Sequence, residues 1–291
     1  MESNSEIRNY YAYAKVNLSL EILRKRPDRF HEVATVMQTI SLCDTLKIGP
    51  APDLQFDCNL PELVNEDNLV WQAALHLHDL CPESDKRGAD IYLEKQIPIA
   101  AGLGGGSSDA ATALVALNQL WELNLSQVQL EEAAARLGSD VPFFLRGGTV
   151  LAEGRGEKLT VLPAFGAIWL VLLYPQIEVP NTKTKELYKM LDYSDYTAGA
   201  ITRTLVRSIE RGEKPENSLF FNGFEKVVYL RFPQLDQFRQ TLVEAGADHV
   251  WVSGSGPTLF TITENEAQGQ EIVENLQQAN YAAFLATTVQ P

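Results

Sequence analysis

The segment Pro98-Ile99-Ala100-Ala101-Gly102-Leu103-Gly104-Gly105-Gly106-Ser107-Ser108 places four glycines in five positions. Glycine has no Cβ, so backbone N–H groups in such a stretch can close on an anion, and a helix starting behind them adds a dipole that favours negative charge. The chemistry this suits is the cradling of a polyphosphate, with a nucleoside triphosphate as the natural guest. A flexible Gly-Ser linker is the alternative, but a linker does not sit between an alternating strand and a patterned helix. Two commoner phosphate motifs are excluded by counting. A Walker A loop needs Lys after its final glycine, where this chain has Ser107, and G-x-G-x-x-G begun at Gly102 needs glycine at 107. The signature loops of the protein kinases are absent.

Phosphoryl transfer requires an acceptor hydroxyl placed in line, neutralised phosphate charge, and a group that takes the hydroxyl proton. Asp140, in Gly138-Ser139-Asp140-Val141-Pro142, is the candidate base; capping of the next segment is the competing role, since Asp is a favoured cap. Lys15 is the candidate cation, against the alternative of an ordinary solvated lysine. Asn17, two residues on, can hydrogen-bond the acceptor. Phe30-His31 is an aromatic pair able to stack a nucleobase and bond its edge; the alternative is a surface histidine beside a core phenylalanine. No dense carboxylate cluster marks a metal site, and Mg²⁺ at kinase sites is held mostly by phosphates and water, so only a hydroxyl from Ser107 or Ser108 is offered and the metal ligands stay unassigned. Asp109 reads as a first-turn helix residue. Gly254 and Gly256 suit either a close approach to substrate or a tight turn, and Thr182 and Thr184 have no assigned role.

These residues need elements to hold them. Residues 10–22 alternate strictly, which predicts a half-buried strand with Lys15 and Asn17 on one face. Residues 33–48 read as one or two more strands. Asp67 or Asn68 caps a helix to about Leu80, and 89–95 is another strand. Ala110, Leu114, Leu117 and Trp121 recur at helical spacing behind the glycine loop. Ser126 and Gln129 form a capping-box pattern for a helix that ends at Gly138. Gly147-Gly148 and Gly154-x-Gly156 punctuate a hairpin. The later part predicts strands at 167–173, 249–263 and 281–288, and helices near 183–191, 198–211, 217–229, 234–245 and 265–278. The division between lobes falls near Leu162-Pro163, as residues 1–162 and 163–291.

Composition bounds the partners. The chain has 291 residues, and Lys plus Arg number 24 against 38 Asp plus Glu, a net charge of −14. General nucleic-acid affinity is therefore not expected, and positive potential for a polyanion must be concentrated locally. Cys43, Cys58 and Cys81 form no C-x-x-C pair, which fits a reducing compartment. The polar stretch 1–10 lacks a signal-peptide core and no apolar run approaches a membrane span, so a cytoplasmic protein with no membrane partner is expected. The oligomeric state is not legible.

Residues 98–108, continued by Asp109-Ala110-Ala111, resemble the phosphate-binding motif of the GHMP kinase superfamily, the galactokinase, homoserine kinase, mevalonate kinase and phosphomevalonate kinase group. Ala14-Lys15-Val16-Asn17-Leu18 resembles its first motif and Val252-Ser253-Gly254-Ser255-Gly256-Pro257-Thr258 its third, in the same order along the chain. Within the superfamily, the details are similar to the 4-diphosphocytidyl-2-C-methyl-D-erythritol kinases of the non-mevalonate isoprenoid pathway. Those details include Arg26-Pro27-Asp28-Arg29-Phe30-His31-Glu32 with Val36-Met37-Gln38, and Gly138-Ser139-Asp140-Val141-Pro142-Phe143-Phe144. The resemblance implies a two-lobe α/β fold of the α+β type, with mixed or antiparallel sheets and the active site in the cleft between lobes. It implies transfer from ATP, with Mg²⁺, to the 2-hydroxyl of the cytidyl substrate. Lys15 and Asp140 become catalytic, residues 98–108 hold ATP, and Asn17, Phe30 and His31 bind the substrate, with its cytosine at the aromatic pair. The chain departs from the pattern at Arg29, where the family usually has glycine, and at Pro257, often another small residue. Two other readings are a superfamily kinase with a different alcohol acceptor and a catalytically silent nucleotide-binding regulator; retention of both Lys15 and Asp140 counts against the latter.

Overall fold

The computed structural model describes residues 6–81, 87–180 and 182–290; the polar terminus before residue 6 and Asn181 lie outside them. Strand β1 (Arg8–Lys25) turns through residues 26–30 into β2 (His31–Ala51), a single strand where the pattern allowed two. The alternation in β1 predicted one wet face. Instead Lys15, Asn17, Ser19 and Glu21 are as buried as Ala14, Val16, Leu18 and Ile22 behind them. The expected half-buried strand is thus corrected, from Ala14 to Ile22, to one covered on both sides, and its polar face is tolerated because each buried polar group finds a partner.

The chain forms two compact units that interleave in sequence. The first takes residues up to Ala14, Cys43–Ile99 and Gly104–Arg146; the second takes Lys15–Leu42, Ala100–Leu103 and everything from Gly147 onward. In the first unit, the far half of β2 pairs antiparallel with β4 (Gly88–Glu94), Thr45 opposite Glu94, and β4 pairs parallel with β3 (Leu54–Cys58). Helices α1 (Leu69–His78), α2 (Gly105–Leu120), α3 (Gln127–Leu137) and α4 (Val141–Arg146) complete it. Their core is alanine-rich: Ala73, Ala74, Ala110, Ala113, Ala133 and Ala134 let helix backbones approach closely, and Leu77, Leu114 and Leu117 fill between them. The predicted caps are present. Asn68 accepts from Val70 N–H at 2.9 Å, and Ser126 and Gln129 exchange both capping-box bonds.

In the second unit, the near half of β2 pairs antiparallel with β5 (Thr149–Gly154), which forms the predicted hairpin with β6 (Lys158–Val161). A second, antiparallel sheet runs β11 (Ala282–Thr287), β7 (Trp169–Tyr174), β10 (Leu259–Thr263), β9 (Trp251–Val252). Helices α5 (Lys183–Met190), α6 (Ala200–Glu210), α7 (Glu225–Arg231), α8 (Leu235–Glu244) and α9 (Glu266–Gln278) belong to the same unit. The helix expected over 217–229 is not continuous. A 3-10 turn at Asn217–Leu219 leads to the short strand β8 (Phe221–Asn222), which pairs parallel with Ser19 and Leu20 of β1, and only then does α7 begin. Asn222 explains the break: its Nδ2 donates to Val252 and Gly254 carbonyls, each at 2.7 Å, while its Oδ1 accepts from Phe224 N–H. Those long-range bonds outweigh local helical preference. The strand expected over 249–263 is likewise divided by a turn at 253–258. Helix α6 starts at Gly199, which offers no side-chain cap; buried Glu21 of β1 supplies one by accepting from Thr202 N–H at 2.7 Å, its charge complementing the helix dipole. Among the described residues, no helix is long and apolar enough to cross a membrane.

Candidate active site

Lys15 is 4% exposed, so the solvated-lysine alternative is excluded. Its Nζ donates to Asn17 Oδ1 at 2.7 Å, Asn17 Nδ2 donates to Thr35 Oγ1 at 2.7 Å, and Thr35 Oγ1 donates to Ser19 O at 2.6 Å. Residues two apart on a strand share a face, which is why β1 can line up this relay. The relay orients Asn17 and leaves its amide one further N–H and one lone pair for a hydroxyl.

The loop at 253–258 approaches this face through Gly254. A Cβ there would lie 3.1 Å from Gly102 O, 3.2 Å from Lys15 Nζ and 3.3 Å from Asn17 Oδ1, and the residue has φ +54°. Of the two roles left open for this glycine the turn is present, closed through Gly256 N–H to Ser253 O, and the backbone also comes up against Lys15. Gly254→Ala should lower kcat/KM about tenfold or more while costing about 1–2 kcal/mol of stability, because strain and displacement fall on the Lys15 relay. Steady-state kinetics beside thermal melts test this, and parental kinetics in the variant would detach the loop from the site.

Residues 98–108 divide between the units. In the second unit, Lys15 N–H donates to Leu103 O at 2.9 Å, and Gly102 has φ +82° with its Cβ position 2.2 Å from Ser253 O, so no other residue fits. In the first unit, Gly104 is the N-cap of α2, with φ 73°. The helix therefore starts inside the glycine run, and Gly105, Gly106 and Ser107 carry first-turn N–H groups with no intrahelical acceptor. Gly106 is exposed, and nothing lies within 4 Å of a Cβ added to it. Ser108 is buried and Ser107 half-buried, which favours Ser107 as the outward hydroxyl.

Asp109 is more than a first-turn residue. It is 2% exposed, and Lys95 Nζ donates to its Oδ2 at 2.7 Å and also to Asp44, whose Oδ1 accepts from Gln96 and Ile97 N–H at 2.6 and 2.8 Å. Asp109 Oδ1 has no partner among the described residues. Burial drives the Asp109 carboxyl well above the ordinary range against the pull of Lys95. Burial alone would depress Lys95, but Asp109 and Asp44 together raise it. Lys95 Nζ lies 3.1 Å from the Cβ position of Gly105, so this ionic cluster directly underlies the first turn of α2.

Asp140 is half-buried in the turn between α3 and α4, as expected of a loop residue, and its carboxylate makes no capping bond to α4 among the described residues. At the aromatic pair the structure reverses the alternative reading: Phe30 is 55% exposed and His31 8%. His31 stacks on Tyr188 with centroids 4.7 Å apart and planes at 16°, and its Nε2 lies 3.4 Å from Tyr196 Oη. Burial, then the nearby Lys25 charge, lowers the His31 pKa, so the ring is neutral at pH 7. The guanidinium of Arg155 sits 4.9 Å from the Phe30 ring centroid. Arg29 adopts φ 69°, the left-handed conformation that glycine takes readily, so the turn keeps its shape at some cost in strain.

Tyr188, Tyr196 and Lys183 escape the sequence reasoning. Their spacing gives no signal either: Lys183 and Tyr188 stand five apart in α5, about 140° around the helix and so not on one face. Thr182 and Thr184 already have protein partners, Glu186 and Ser255. Among the described residues, no group of three or more His, Cys, Asp or Glu is placed to hold a metal ion.

Family models for the GHMP kinases N terminal domain and the GHMP kinases C terminal domain match residues 68–148 and 201–283. A protein of Dehalococcoides mccartyi named 4-diphosphocytidyl-2-C-methyl-D-erythritol kinase is 41% identical over 280 residues, 96% of this chain and 98% of that protein. A protein of Geobacter sulfurreducens with the same name is 37% identical over 96% of this chain and 98% of its own length. A crystal structure of 4-(cytidine 5'-diphospho)-2C-methyl-D-erythritol kinase superposes with a TM-score of 0.83 at 32% identity, covering 98% of this chain and all of that one. Homoserine kinase from Cytophaga hutchinsonii shares the fold alone, with a TM-score of 0.72 at 17% identity over 100% of this chain and 96% of that one. Near-complete mutual coverage at this identity, with both domain models matched in order, shows that the chain belongs to the 4-diphosphocytidyl-2-C-methyl-D-erythritol kinase family of GHMP kinases.

Proposed function

We propose that this protein is a phosphotransferase of isoprenoid biosynthesis that moves the γ-phosphoryl group of ATP to the 2-hydroxyl of 4-diphosphocytidyl-2-C-methyl-D-erythritol, giving the 2-phosphate and ADP. The observation that carries the reading is the buried Lys15–Asn17–Thr35 relay, held against the glycine loops at 100–103 and 253–258. A desolvated ammonium beside backbone that only glycine can form suits the neutralising of a transferring phosphoryl group.

In this reading Asp140 takes the acceptor's hydroxyl proton and Lys15 stabilises the alkoxide and phosphoryl charge. Residues 98–108 bind the triphosphate, with N–H groups of Gly105, Gly106 and Ser107 at the helix start. Mg²⁺ neutralises phosphate charge when bound; the donor set among the described residues, one outward hydroxyl and no carboxylate cluster, fits an ion carried in on the phosphates. Asn17 orients the acceptor, while Phe30 and His31 receive the cytosine, His31 as a neutral ring that hydrogen-bonds its edge. The reaction is placed in the cytoplasm.

The test is incubation with Mg-ATP and, separately, 4-diphosphocytidyl-2-C-methyl-D-erythritol, homoserine, galactose and mevalonate, with ADP release and product mass measured. Phosphate added to the cytidyl compound alone supports the reading; transfer to another alcohol discards the cytosine pocket. His31→Ala should raise KM for the cytidyl acceptor by about tenfold or more and leave KM for ATP near the parent's. A change confined to ATP would misplace that pocket.

A further inference from the structure

Lys183, at the start of α5, is 5% exposed and has no part in the mechanism above. Its Nζ donates to Ala100 O at 2.9 Å and to Gly256 O. These carbonyls belong to different loops, residues 100–103 from the glycine motif and 253–258 from the later glycine-rich motif. The loops also meet directly, once through their backbones and once through a side chain. Thr258 N–H donates to Ala101 O at 3.2 Å and Ser253 Oγ to Gly102 O at 3.1 Å. Among the described residues no carboxylate bonds to Lys183, so its charge is met by carbonyl dipoles alone. A chain with a net charge of −14 has thus buried a cation beside its anion-binding loops without an acidic partner.

We propose that Lys183 is a positioning residue that pins the 100–103 loop to the 253–258 loop and holds a second positive charge, beside that of Lys15, for the bound polyphosphate. The inference rests on the nucleotide-binding reading above. Burial, then repulsion from Lys15, lowers the Lys183 pKa to about 8. Lys15 on β1 is the charged group acting on it; the two loops contribute no titratable side chain, and Glu186 on α5 is engaged by Thr182 and Arg231. An arriving polyanion favours the ammonium and raises this pKa. Nucleotide affinity is therefore full below about pH 8 and falls as pH rises above it, and binding above pH 8 takes up a proton.

The experiment is titration calorimetry of the full chain with a non-hydrolysable ATP analogue and Mg²⁺ at pH 8.5, in two buffers of different ionisation enthalpy. The parent should take up as much as about 0.8 of a proton per nucleotide. Lys183→Met, with circular dichroism and melting to establish folding, should lose the uptake and lower kcat/KM about tenfold or more. Lys183→Arg cannot lose its charge, so a folded K183R protein should show no uptake and hold its affinity at pH 9, where the parent weakens. Uptake persisting in K183M or K183R, or binding by the parent with none, overturns the inference alone. Absence of nucleotide binding by the folded parent overturns the kinase reading and this inference with it.

Discussion

Asp140→Asn should lower kcat by about 10²–10⁴-fold while nucleotide affinity stays close to the parent's, because the amide keeps the shape of the carboxylate and cannot take a proton. The turn that holds Asp140 is set by its backbone, with Val141 N–H donating to Gly138 O at 3.3 Å, so the substitution leaves the loop intact. Lys15→Ala should also depress kcat strongly, by removing the ammonium that heads the Asn17–Thr35 relay. If the two act as a unit on one proton transfer, the double variant will be little worse than the poorer single one, since effects of cooperating groups are far from additive. Single-turnover kinetics with a separate nucleotide-binding measurement decides the matter. Parental turnover in D140N would remove Asp140 from the mechanism, and a collapse of nucleotide binding would recast it as a structural residue.

Lys95→Met should destabilise the protein by about 3–5 kcal/mol, the cost of removing one partner from a buried ionic cluster. Asp44 and Asp109 are 0% and 2% exposed, and Lys95 is the cation bonded to both. Without it two carboxylates share a buried site. The pH dependence follows from the sign of the Asp109 shift. Its folded pKa is raised, so the protonated form is favoured on folding, and that contribution is full below the unfolded value and lost as pH rises through the folded one. Removing the ammonium raises the folded value further, so K95M should lose less stability relative to the parent at pH 5 than at pH 8. Asp109→Asn discharges the site yet still offers an oxygen to Lys95, and should cost far less. Denaturant midpoints for the three proteins at both pH values test this. Equal losses in K95M and D109N would mean that packing around Gly105, and not charge, governs the cluster.

Much of the scaffold is legible in local chemistry. The alternation of 10–22, the Asn68 cap, the Ser126/Gln129 capping box and the glycine run ahead of α2 are each decided by neighbours within a few residues. Dihedral preference and cap hydrogen bonds act over that range. The misread helix at 217–229 shows where this stops. Asn222 is held by carbonyls thirty and more residues away, and no local periodicity reports that.

The site divides in the same way. The sequence by itself determined which residue types stand where: the glycine run, Lys15 and Asn17 on one strand face, and an aromatic next to a histidine. Only the tertiary structure decided that the polar face of β1 is buried, that His31 turns inward onto Tyr188 while Phe30 stays outside, and that Lys183 joins two loops 156 positions apart at Ala100 and Gly256. The physical reason is that burial belongs to the whole packed chain. Whether a lysine is solvated or desolvated depends on what covers it, and here the covering segments come from distant parts of the sequence.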